Sequence, residues 1–185
     1  MNNAQGDNSE FLSGSLILAS PTLVNPHFSR SVLLLTDHGG DGAHGYILNR
    51  PLGKTVSDVL EDSNFDALSD VPLYMGGPVS TGQLTFTSLV WNEMLEELDY
   101  DTHLSVAEAS ARKAEGFDVR AFVGYSGWSG GQLEEELKEN AWIPKSPISD
   151  VLKKEDIDGL WADILRTMGP YYRMIADAPE DPSMN

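Results

Sequence analysis

The chain has 185 residues, of which 41% are hydrophobic and 22% are charged, and this composition predicts one domain with a substantial core. Lys and Arg number 12 against 29 Asp and Glu, so the net charge of −17 disfavours binding to nucleic acids and to anionic membranes. Cysteine is absent, which excludes disulfides, thiolate nucleophiles and Cys-ligated zinc.

Both ends of the chain are polar and lack a hydrophobic period. Residues 1–10 do not resemble a secretion signal, and the longest aliphatic run, residues 32–35, is far too short to cross a bilayer. We therefore predict a disordered tail at residues 1–10, one domain over residues 11–175 and a flexible tail at residues 176–185. The expected location is the cytoplasm.

The first third of the chain alternates short apolar runs with turns rich in Gly and Pro. Residues 14–20 predict a strand, and the continuous apolar run at 31–36 predicts a strand buried on both faces. The turn-rich residues 37–45 lead into a strand at 46–49, so the last two strands predict a hairpin. A capping box at residues 55–58 predicts the start of a short helix.

The rest of the chain contains most of the helical patterns. Further strands are predicted at residues 71–75, 83–90 and 119–125. Apolar residues at helical spacing, capping boxes and terminal glycines predict helices at residues 91–98, 105–114, 132–140 and 157–168. Strict alternation of strand and helix is missing, so the predicted fold class is α+β.

Residues 127–131 (GWSGG) match the Gly-x-Ser-x-Gly pattern of a hydrolase nucleophile elbow, with Ser129 in the place of the nucleophile. In α/β-hydrolases the catalytic histidine follows the serine, whereas all 4 histidines of this chain precede Ser129. The glycines also suit a tight turn from strand to helix. Glutamates at 134–136 would repel a phosphate at the start of the following helix. We predict the turn and keep a serine hydrolase as an alternative.

Residues 37–44 (DHGGDGAH) contain the candidate metal ligands His38, Asp41 and His44. Their spacing matches neither a calcium-binding loop nor a zinc-protease helix, and Asp and Gly are also the residues that a hairpin turn requires. A metal-dependent enzyme around His38 and Asp41 is kept as an alternative, and the expected cofactor is none.

Polar residues among Gly and Pro form a third candidate site. Arg50 ends a predicted buried strand, where an arginine needs a carboxylate partner or carbonyl groups to bind. A structural salt bridge is the first interpretation. The second is a pocket for a small molecule or a peptide, built from Asn49, Arg50, Trp128 and Gln132.

Several segments taken together resemble the YqgE/AlgH family of bacterial proteins, over about residues 11–169. The matching segments are residues 14–16, then Pro26 and Phe28 followed by Ser31-Val32, and residues 45–51 (GYILNRP), 76–79 (GGPV), 124–128 (GYSGW) and 131–134 (GQLE), with Trp142 and the Leu160-Trp161 pair. The resemblance implies a compact α+β domain whose largely antiparallel sheet is bifurcated or partly barrel-like and surrounded by helices. It implies the family's label of transcriptional regulator and no catalytic residue. Ser129 is not a family position.

The function predicted from the sequence is a non-enzymatic regulatory or interaction module. Its partner is a protein or a small molecule, and the charge and the lack of a helix-turn-helix argue against direct contact with DNA. The alternatives are a hydrolase around Ser129, a metal-dependent enzyme around His38 and Asp41, and a small-ligand sensor around Asn49, Arg50 and Trp128.

Overall fold

Nine strands form one curled, half-barrel sheet within residues 12–153 and 155–178, which the computed structural model describes. In chain order the strands are β1 (Leu16–Ala19), β2 (Val32–Gly39), β3 (Gly42–Ile47), β4 (Pro51–Thr55), β5 (Pro72–Met75), β6 (Val79–Asn92), β7 (Glu97–Leu104), β8 (Asp118–Ser129) and β9 (Trp142–Lys145). The α-helices of the same stretches are α1 (Val106–Ala114), α2 (Gln132–Lys138), α3 (Leu160–Thr167) and α4 (Pro170–Ala176). The predicted α+β class is confirmed.

The sheet branches at β8. The main order is β4-β5-β8-β3-β2-β1-β9, and β6 leaves this path by pairing with both β8 and β7. The first part of β8 lies between β5 and β6, whereas its last residues, 126–129, pair with β3. Only the β5–β8 pair is parallel among the pairs of the described residues, so the sheet is largely antiparallel, as the resemblance implies.

The core has a separate cluster on each face of β1 and β2, because side chains alternate between the faces of a strand. Leu34 and its neighbours on one face pack beneath α3 and α4, and Leu33 and Leu35 on the other face pack with Trp128, Trp142 and α2. A third cluster lies between α1 and the β5, β6 and β8 region. Residues 32–35 are fully buried, which confirms the strand predicted to be covered on both faces.

In helix α3 the apolar residues at helical spacing form the buried face, as the sequence predicts. Leu160, Trp161, Ile164 and Leu165 are all buried, as their spacing requires, and the Trp161 indole N–H donates to the Ala19 carbonyl at 2.8 Å. The helix ends just before Gly169, which has a φ of 124°, and Pro170 begins a further helix, α4, that the sequence did not predict. No helix in residues 12–153 and 155–178 is long and apolar enough to cross a membrane.

The helix predicted at residues 91–98 is wrong, because this segment is the end of the β6–β7 hairpin. Trp91 and Leu98 are cross-strand partners, so their seven-residue spacing reflects a reversal of the chain rather than helical turns. The Asn92 side chain accepts hydrogen bonds from the Met94 and Leu95 amides at 3.1 and 3.2 Å and thereby forms the turn.

Other boundaries differ more modestly. The capping box at Thr55 opens only a three-residue 3₁₀ helix, whereas the one at Ser105 starts α1, where Glu108 accepts from the Ser105 amide at 2.8 Å. The sequence also did not predict β4, β7 and β9. Residues 1–10 and 179–185 of the predicted tails lie outside the described residues. Ala176, the first residue of the predicted C-terminal tail, is buried at the end of α4.

Candidate functional site

The Gly-rich segments that carried the family resemblance meet at one tight junction of backbones. A Cβ atom added to Gly76 would clash with the Gly124 carbonyl, and one added to Gly77, which has a φ of 156°, would clash with the backbone of Tyr125. The Gly76 carbonyl accepts from the Ile47 amide at 2.9 Å and from the Ser126 hydroxyl at 3.1 Å. Glycine is therefore required here for close backbone packing.

The GWSGG segment is a turn from strand to helix. β8 ends at Ser129, Gly131 takes a left-handed conformation with a φ of 80°, and α2 begins at Gln132. The Gln132 side-chain oxygen accepts from the Ser129 amide at 3.1 Å and from its hydroxyl at 3.2 Å. Within the described part of the chain no histidine hydrogen-bonds to this hydroxyl, so the base that would activate a nucleophile is missing there.

Trp128 and Gln132 belong to a cluster centred on the carboxylate of Glu136. One carboxylate oxygen accepts from the indole N–H groups of Trp128 at 2.9 Å and Trp142 at 2.7 Å. The other accepts from the Gln132 amide at 3.0 Å. The ring of Phe28 meets Trp142 edge-on with centroids 5.4 Å apart. The polar groups of this cluster are therefore satisfied by one another and hold α2 against the sheet.

The three candidate metal ligands are not brought together. His38 in β2 is 6% exposed and lies on the same face of the β2–β3 hairpin as Ala43, its cross-strand partner, whereas His44 lies on the opposite face. Asp41 is exposed in the turn between them. In residues 12–153 and 155–178, no group of three or more His, Asp or Glu side chains is placed to hold a metal ion.

Both ring nitrogens of His38 have partners. Nδ1 accepts from the Leu12 amide at 2.9 Å, so the ring proton lies on Nε2, which donates to Glu134 at 3.1 Å. His38 therefore ties residues 12 and 13 and helix α2 to the β2–β3 hairpin.

His44 stacks on Tyr125 with ring centroids 4.5 Å apart, and its Nδ1 lies 3.1 Å from the Thr36 hydroxyl. Burial in the first place, and the nearby His103 in the second, lower the pKa of His44 below its ordinary value, while Asp37 opposes them. The neutral imidazole is therefore favoured in the folded protein.

Asn49 and Arg50 line a cleft of about 650 Å³ together with Arg30 and Trp161. The Asn49 side chain accepts from the Val32 amide at 2.8 Å and donates to the Arg30 carbonyl at 3.0 Å, so it fixes the local backbone. The guanidinium of Arg30 lies 5.2 Å from the centre of the Trp161 ring. We call this feature the arginine cleft.

Arg50 is not the buried cation that the sequence suggested. Its side chain is half-buried and donates to the Ser29 carbonyl, and it forms no salt bridge within the described residues. The fully buried cation is Arg120 in β8, which binds Asp118 at 2.8 Å and the Val151 carbonyl at 2.5 Å and lies 4.9 Å from the Tyr74 ring. The missed signal was an arginine within an apolar strand, two residues after an aspartate.

The predicted ligand pocket is thus divided between two places. Trp128 pairs with Ala43 at the start of β3, whereas Asn49 and Arg50 follow the end of this strand. The two halves lie about 20 Å apart along an extended chain of this length. Asn49 and Arg50 remain candidates for ligand binding, with Arg30 and Trp161 as partners that the sequence did not reveal.

The fold and cleft define a class of protein: a mixed α+β domain with a curled half-barrel sheet. Residues 16–173 match the family model described as DUF179, AlgH-like, and the chain belongs to this family. A UPF0301 protein of Chlorobaculum tepidum is 35% identical, with 93% of this chain and 95% of the relative covered. A UPF0301 protein of Bacteroides fragilis is 33% identical, with 93% and 90% covered.

Two solved structures share the fold. A crystal structure of a Corynebacterium diphtheriae protein has a TM-score of 0.71 at 18% identity and covers 90% of this chain and 92% of its own. The solution structure of the AlgH protein from Pseudomonas aeruginosa has a TM-score of 0.62 at 24% identity and covers 98% and 100%. These two structures show the fold, and the family model together with the relatives of 30% or more identity confirms the family that the sequence resembles.

Proposed function

We propose that this chain is a non-enzymatic cytoplasmic module that binds a small ligand carrying a carboxylate or a phosphate in the arginine cleft. The observation that carries the proposal is a cleft whose lining holds Arg30 and Arg50 against the carboxylate of Asp158, in a chain whose net charge is −17. Arg30 also donates to the Ala178 carbonyl at 2.7 Å, so the donors offered to a ligand are mainly those of Arg50. A surface with so much negative charge repels anions in general, so the two arginines make the cleft the place where this protein can bind an anion selectively.

Arg50 has the donors that such a ligand needs. A guanidinium presents five N–H groups in a fork that matches carboxylate and phosphate oxygens. The bond to the Ser29 carbonyl uses one nitrogen and is the only hydrogen bond of this side chain within residues 12–153 and 155–178. The side-chain bonds of Asn49 hold the backbone before Arg50 in place, and Trp161 supplies an apolar wall.

The other candidate groups favour a binding module over an enzyme. The hydroxyl of Ser129 bonds to Gln132, and both ring nitrogens of His38 have partners in the fold. The cleft also lacks the extended basic stripe that duplex DNA requires. A regulatory role would therefore act through the bound ligand or a protein partner.

A thermal-shift titration with inorganic phosphate, citrate and acetate tests the proposal. Ligand at a hundred times its dissociation constant adds about 2.7 kcal/mol to the free energy of unfolding, which raises Tm by roughly 5–10 °C for a domain of this size. Arg50→Ala should abolish the shift, and Arg50→Lys should weaken it because the fork is lost.

Two variants serve as controls. Arg173→Ala removes the same charge from α4, outside the cleft lining, and should leave the shift intact. Ser129→Ala should also leave it intact. A shift that survives in Arg50→Ala, or the absence of any shift with all three anions, would contradict the proposal. Labelling of Ser129 by an active-serine phosphonate would favour the hydrolase instead.

A further inference from the structure

A second cleft, of about 820 Å³, lies at the end of the β6–β7 hairpin, far along the sequence from the arginine cleft. Trp91, Leu95 and Leu98 of the hairpin form one side, and residues 13–15 and 146–149 form the other. We call this feature the hairpin groove.

Apolar side chains are exposed at the mouth of the hairpin groove. Leu95, which lines the groove, is 63% exposed, and Met94, its neighbour in the turn fixed by Asn92 and outside the groove lining, is 93% exposed. Trp91 and Ile148 are partly buried and pack against the core beneath them. Side chains of this size left in water next to a concave surface are typical of a protein-binding site.

The outer edge of β7 adds hydrogen-bonding groups to this surface. β7 pairs with β6 on one side, and within the described part of the chain no backbone group on its other side has a backbone partner. An extended peptide can add to such an edge as a further strand. Glu97 and Asp99 carry exposed carboxylates along this strand, which oppose pairing with a second copy of this acidic chain, whereas Asp101 is paired with Arg112 at 2.6 Å.

The charge of the surroundings selects the partner. Residues 55–111 contain no Lys or Arg, and Glu93, Glu96 and Glu97 surround the turn. A second copy of the chain, a nucleic acid and an anionic membrane would all be repelled, whereas a basic segment would be attracted. We propose that the hairpin groove and the edge of β7 bind an extended, basic peptide segment of another protein, with apolar side chains in the groove and Lys or Arg side chains at Glu96 and Glu97.

Fluorescence anisotropy of the whole protein with a short fluorescein-labelled peptide in which lysine alternates with valine tests this proposal. The double variant Glu96→Gln/Glu97→Gln should weaken binding about fivefold, equivalent to about 1 kcal/mol for two surface ion pairs. Leu95→Ser, which leaves the charge unchanged, should also weaken binding. The same peptide with glutamate in place of lysine should not bind.

The control is Glu135→Gln/Glu139→Gln, which removes the same charge from exposed positions around α2. It should weaken binding by less than about twofold, as expected from the loss of net charge alone. Hydrogen exchange should show new protection of β7 amides on peptide addition. Equal losses in both double variants, an unaffected Leu95→Ser variant, unprotected β7 amides or no binding of the lysine peptide would overturn the proposal.

Discussion

Arg120 is the group whose removal should most damage the fold. Arg120→Met keeps most of the volume of the side chain but removes the cation that binds Asp118 at 2.8 Å and the Val151 carbonyl at 2.5 Å. The carboxylate of Asp118 is only 10% exposed and stays behind. Breaking a buried ion pair by removing one partner costs about 3–5 kcal/mol, because the other charge remains out of water.

The loss should appear in urea unfolding followed by tryptophan fluorescence, as a lower midpoint at an unchanged slope. For a domain of this size it corresponds to a fall in Tm of roughly 10 °C. Arg112→Met is the matched control, since Arg112 binds Asp101 at 2.6 Å with its side chain 37% exposed, and it should cost less than about 1 kcal/mol. Equal losses for Arg120→Met and Arg112→Met would refute the reasoning.

Two further predictions concern Glu136 and His44. Glu136→Leu leaves two indole N–H groups without their acceptor and should lower the free energy of unfolding, measured in urea, by about 2–5 kcal/mol. Glu136→Gln keeps one acceptor oxygen and should lower it by less. Equal losses for the two variants would contradict the hydrogen-bonding account. Burial in the first place, and His103 in the second, lower the pKa of His44 in the folded protein. As the pH falls below the ordinary value of 6.5, the unfolded chain therefore binds more protons at this residue than the folded protein does. The stability that is present above pH 6.5 is lost on acidification. His44→Asn should therefore reduce the dependence of Tm on pH below about 6.5. An unchanged dependence would show that other groups cause it.

The spacing of apolar residues predicted some strands and helices correctly, and it predicted a helix wrongly at residues 91–98. The apolar patterns at residues 31–36 and 157–168 predict a strand and a helix, and the strand Val32–Gly39 and the helix Leu160–Thr167 form there, with residues 157–159 in a 3₁₀ turn. At residues 91–98 the apolar spacing fits a helix and a hairpin equally, because Trp91 and Leu98 face each other across two strands. The pairing of β6 with β7 decides between them, and it extends over residues 86–104, well beyond the window in which the helical spacing is read.

The sequence predicts the part of the site that is formed by adjacent residues, and it does not predict the part that comes from distant segments. Asn49 and Arg50 stand side by side before a proline, so their shared location could be inferred. Arg30 and Trp161 come from segments far away in the chain, and tertiary folding alone brings them to the cleft. The same reason explains why Arg120 was missed, since burial of an arginine depends on a carbonyl 31 residues away.

The branching of the sheet at β8 has a consequence for how the chain is made. β2 with β3, β4 with β5, and β6 with β7 form three antiparallel ribbons, and each is complete before residues 118–129 are synthesised. At 5–20 residues per second, the roughly 80 residues between β3 and the end of β8 take about 4–16 s to emerge from the ribosome. From its own completion until β8 emerges, each ribbon has an open edge that β8 will later occupy, and this interval is longest for β2–β3 and shortest for β6–β7, which ends at Leu104. A nascent chain arrested before residue 118 should therefore be the form most prone to aggregate and most dependent on chaperones.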